Sequence, residues 1–95
     1  MNELDLKRKE QRGHQAKRIL GDDLVLSAFA DIRNTLYNNI SKSDFSQSDE
    51  REDCYRMLRA VESFEGMFKR HINTGRAAEE KLSLMQKVVR RVQEL

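Results

Sequence analysis

Residues 49–74, DEREDCYRMLRAVESFEGMFKRHINT, decide the fold class. Cys54, Leu58, Val61, Phe64 or Glu65, Phe68 and Ile72 follow one another by three and four positions. Met57, Phe64, Met67 and His71 widen the same stripe. That spacing puts the residues on one face of a helix. Asp49 is expected as the N-cap, with Glu52 three residues on in a capping-box-like arrangement and Ser48 as the rival cap. Asp49, Glu50, Glu52 and Asp53 place negative charge where the helix dipole favours it. Gly75 reads as the stop, with Lys69 and Arg70 before it. Glu52/Arg56 and Glu65/Lys69 are i,i+4 pairs, each adding about 0.2–0.5 kcal/mol at most. Ala60, Ser63 and Gly66 form a second row of small residues. They mark either close approach of a neighbouring helix or a tolerated glycine with a slight kink.

The rest of the chain reads as further helices around this one. Residues 3–20 form a poorly amphipathic first helix whose apolar points are Leu4, Ala16, Ile19 and Leu20, and Gly13 is expected to let the part before it fray or bend. Gly21-Asp22-Asp23 ends it and caps a second helix, from about Asp23 to Asn39. Val25, Ala28, Phe29, Ile32, Leu36 and Ile40 stripe that helix. Ser41–Ser48 is the one real loop, and its Phe45 is expected to tuck against the nearest core. A last helix, Arg76 to about Glu94, carries Leu82, Met85, Val89 and Val92 at 3-4-3 spacing, with Leu84, Val88 and Leu95 as a second edge.

The fold expected is therefore all-α, a three- or four-helix bundle or a helical hairpin with an extended terminal helix. Its 95 residues make one domain, with residues 1–12 as a frayed arm and 76–95 as a candidate oligomerisation helix. Leu58, Val61, Phe68, Phe29, Ile32 and Leu36 are the expected centre. Proline is absent and glycine occurs four times, which suits long helices. Charged residues make up 36% and the formal net charge is only +2, so charge balance points to no particular partner. Mean hydropathy is −0.80 and no 18-residue apolar run exists, so no membrane span is expected. Met-Asn-Glu-Leu-Asp at the N-terminus lacks an apolar core, so no secretory signal is expected. The single cysteine, Cys54, has no internal partner and fits a reducing compartment, where it reads as a small core residue.

Chemistry-bearing patterns are sparse. His14 and His71 lack ligand spacing with each other, with Cys54 or with a carboxylate, so no metal or other cofactor is expected. There is no glycine-rich phosphate loop, no GxSxG and no CxxC, and the carboxylates cluster at helix starts, where capping explains them. An enzyme is disfavoured. Lys7, Arg8, Lys9 and Arg12, with Lys17 and Arg18, are the densest basic cluster and the candidate nucleic-acid contact. Against that, Glu3/Lys7 and Asp5/Lys9 partly cancel the charge, and no aromatic residue is interleaved for stacking on bases. Leu82, Met85, Val89 and Val92 are the candidate subunit seam, either joining two copies or folding back onto the third helix.

Arg12-Gly13-His14-Gln15-Ala16, Ala28-Phe29 with Ile32-Arg33, Met57-Leu58 and Ile72-Asn73-Thr74-Gly75 together resemble short helical proteins encoded among the head-assembly genes of tailed bacteriophages. The resemblance covers about Arg12 to Glu80. It implies a small accessory or structural protein of virion assembly, with itself and other phage or host proteins as partners. It implies the host cytoplasm or the virion as its place, and it offers no catalytic residues to carry over. The expected function is thus a non-enzymatic helical interaction module acting as an oligomer. The alternatives are a nucleic-acid-binding packaging or regulatory factor using the basic first helix, and a small phage inhibitor of a host protein.

Overall fold

The computed structural model describes residues 2–95. Three α-helices follow in order: α1 (Glu3–Leu20), α2 (Asp23–Lys42) and α3 (Ser48–Glu94), with a 3-10 turn at Phe45–Gln47 before the last. No strand occurs among the described residues, so the all-α expectation holds. The third and fourth helices expected from the sequence are one element of 47 residues.

Each start is locally capped. Asn2 Oδ1 accepts from the backbone N–H of Asp5 at 2.8 Å. Asp22 caps α2, accepting from the N–H groups of Leu24 at 2.9 Å and Val25 at 3.1 Å. Before α3 the cap is Asp44, not Asp49. Its side chain accepts from the Ser46 N–H while Gln47 Oε1 accepts from the Asp44 N–H, a reciprocal box. The 3-10 turn runs straight into Ser48, so Asp49 and Glu50 lie in the first turn of α3, where they still favour the dipole. Arg51 donates to Ser43 Oγ and the Asp44 carbonyl, which fixes the connection to two non-helical residues before the 3-10 turn. The expected eight-residue loop is thereby mostly helical. Phe45 stays fully exposed (101%) instead of tucking in, because a turn this short, held at both ends, points it outward.

The helices form two compact units. In the first, α1 up to Ile19 packs with Phe68–Leu95. The two segments run antiparallel, and their closest approach is glycine on glycine. A Cβ at Gly75 would stand 2.8 Å from the Gly13 Cα and 2.9 Å from the Lys9 carbonyl oxygen. One at Gly13 would stand 2.9 Å from both the Gly75 Cα and the His71 carbonyl oxygen. Two expectations are corrected here. Gly75 does not stop a helix, and Gly13 does not fray one. No described glycine has positive φ, and both of these are helical because only their lack of a side chain lets two backbones meet. Leu6, Ala78 and Leu82 close into a cluster beside the crossing, and Ala16 is buried too. Leu6 and Ala78 were not anticipated as core.

The second unit, Leu20–Met67, packs α2 antiparallel to the first half of α3. Phe29, Leu36 and Leu58 are its buried residues. The Phe29 and Phe64 rings lie 6.1 Å apart at 45°, within the range of favourable aromatic pairs. Arg33 donates to Glu65 at 2.9 Å, with side-chain exposures of 30% and 17%, and so ties α2 to α3 at a half-buried position. Of the expected centre, Phe29, Leu36 and Leu58 are buried and Val61 and Phe68 half-buried, but Ile32 is 44% exposed. Gly66 is not a close-approach site, since nothing lies within 4 Å of a Cβ built there.

Candidate interaction surfaces

The surfaces that remain open are apolar rows of α3 and the basic residues of α1. In the first unit, packing against α1 uses the row His71, Gly75, Ala78 and Leu82. Of the expected seam, Leu82 is therefore buried within the chain (7%). The row continues past the start of α1. Met85 and Val89 line an open depression of about 470 Å³ with Leu82, Gln86 and Glu3, the first residue of α1. Met85, Val89 and Val92 are exposed, and so are Leu84, Val88 and Leu95. Five apolar side chains thus stand open over the last three turns of α3, with Leu95 just beyond them.

In the second unit, Ala28, Phe29 and Ile32 of α2 face Ala60, Val61 and Phe64 of α3 across an open groove of about 400 Å³. Sequence reasoning missed it. The signal was the pair of alanines, Ala28 and Ala60, which leave the groove between the larger side chains on the two helices.

The basic residues of α1 do not form one stripe. At about 100° per residue, Lys7 and Arg18 share one direction and Arg8 and Arg12 another, while Lys9 and Lys17 lie nearer the packed face. Lys17 lines a small crevice with Gly13, His14, Ile72, Gly75, Arg76 and Glu79. Lys7 pairs with Glu3 at 3.3 Å on the open surface, an interaction of small net stability. On the other helix, Arg56 lies 3.7 Å from Glu52 and 3.6 Å from Asp53.

Among the described residues, no group of His, Cys, Asp or Glu is placed to hold a metal ion. Cys54 is a free, half-exposed thiol. No helix among the described residues is long and apolar enough to cross a membrane. Gly13, Ala16, Phe29, Leu58 and Gly75 are all buried and so serve packing. No family model, curated protein or solved structure matches the chain.

Proposed function

We propose that the chain is a non-enzymatic helical protein–protein interaction module that works as an oligomer. The observation that carries this reading is the open apolar end of α3: Leu84, Met85, Val88, Val89 and Val92, all exposed on one regular helix, with Leu95 exposed just beyond its end. Large apolar side chains scattered singly are ordinary on a surface, but a contiguous row of them signals association. The resemblance of residues 12–80 to phage head-assembly proteins suggests virion assembly or DNA packaging as the setting, in the host cytoplasm or the virion itself.

Replacing Val89 and Val92 together with Glu puts charge on this face, where both side chains are exposed within the chain. The wild type should show a mass that is a multiple of 11.2 kDa by light scattering. The Val89→Glu/Val92→Glu variant should be monomeric with unchanged helical circular dichroism. A wild type that stays at 11.2 kDa up to high micromolar concentration would sink the oligomer reading.

The spread of Lys7, Arg8, Lys9, Arg12, Lys17 and Arg18 around α1 argues against a nucleic-acid surface. Phosphate binding weakens steeply with salt. The wild type is expected to be released from duplex DNA at physiological salt, and replacing Lys7, Arg8, Lys9 and Arg12 with Gln should leave its oligomeric mass unchanged. Tight, sequence-selective retention that this variant loses would favour the nucleic-acid reading instead.

A further inference from the structure

We infer, resting on the interaction-module reading, that the open end of α3 is covered by the same segment of a second copy running antiparallel. The exposed apolar row is the first argument: Leu84, Met85, Val88, Val89 and Val92 stand open at the end of α3, a contiguous apolar face of the kind that association covers.

Charge order is the second argument, and it selects both occupant and direction. Arg76, Glu80, Ser83, Lys87, Arg91 and Glu94 succeed one another by three or four along α3, so they form a flank beside the row of Ala77, Leu84, Val88 and Leu95. The flank begins positive then negative, at Arg76 and Glu80. It ends positive then negative, at Arg91 and Glu94. When two copies pair antiparallel about a two-fold axis, each flank meets the same flank of the other copy in reverse order. An axis near Met85 sets Glu80 of each chain beside Arg91 of the other, and Arg76 beside Glu94. Val92 then lies over the small Ala77. Parallel pairing would instead set this flank beside the opposite edge of the partner's row, where Met85 and Val92 offer its charges no partner. Lys81 interrupts the apolar row, and its alkyl stem can lie along apolar surface with the ammonium reaching water.

The test is charge exchange in the full chain, read as the dissociation constant by sedimentation equilibrium at low salt. Glu80→Lys alone and Arg91→Glu alone should each weaken the dimer about tenfold, because the two-fold repeats every contact and exposed pairs are individually weak. The double variant Glu80→Lys/Arg91→Glu should return to within about threefold of wild type, as the exchanged charges again meet opposites. In a parallel dimer Glu80 and Arg91 do not meet across the two-fold, so the single variants would leave affinity nearly unchanged. That result, or failure of the double variant to recover while its circular dichroism stays helical, overturns the antiparallel assignment and leaves the oligomer reading standing. A wild type that never dimerises overturns both.

Discussion

Gly75→Ala is expected to destabilise the first unit, although the substitution favours a helix elsewhere. Alanine is intrinsically better than glycine inside a helix by about 1 kcal/mol. At Gly75, however, the added Cβ would meet the Gly13 Cα at 2.8 Å and the Lys9 carbonyl oxygen at 2.9 Å. Both are backbone atoms that no rotamer change can move, so the helices must separate. Separation would loosen the cluster of Leu6, Ala78 and Leu82. Overpacking of this kind costs about 1–3 kcal/mol, and set against the propensity gain a net loss of roughly 1 kcal/mol corresponds to about 5 °C in a chain this small. Gly66→Ala supplies the control of opposite sign. A Cβ there meets nothing within 4 Å, so the propensity gain should appear as a rise of up to ~1 kcal/mol. Thermal and urea melts followed by circular dichroism read both. A Gly75→Ala chain as stable as the Gly66→Ala chain would show that the glycine crossing is not a tight contact in solution.

Leu36→Ala should have the largest effect in the second unit. Leu36 retains 4% of its exposure and lies with Phe29 and Leu58 among the unit's few buried residues. Truncating a buried leucine costs about 2–5 kcal/mol, out of a total of roughly 5–15 kcal/mol for a domain. Ile32→Ala, four residues earlier on the same helix, should cost less, because Ile32 keeps 44% of its exposure against 4% for Leu36. Hydrogen exchange locates the damage. The amides of α2 and of 48–67 should lose protection in the Leu36→Ala chain. Equal costs at Leu36 and Ile32 would show that burial in this unit does not follow the packing described.

The association surface was only half legible in the sequence. Met85, Val89 and Val92 stood out by spacing and are exposed, whereas Leu82, read in the same row, is taken up by α1. Where α1 ends along α3 separates the two cases, and no property of residues 82–92 records it. The groove around Phe29 and Phe64 was missed for a related reason: it is defined by what lies opposite Ala28 and Ala60.

What the sequence determined by itself is local. Apolar residues repeating by three and four gave the helices, and Asp22 with Gly21 marked the break between α1 and α2. Such signals work through neighbours a few positions away, so they can be read from one strand of text. The tertiary structure decided the rest. Gly75 looks like a helix end, because glycine is a poor helix former and a common terminator. It became the middle of a 47-residue helix because another backbone, at Gly13, occupies the space a side chain would need. A residue whose role is to leave room acquires that role only from the partner that fills it.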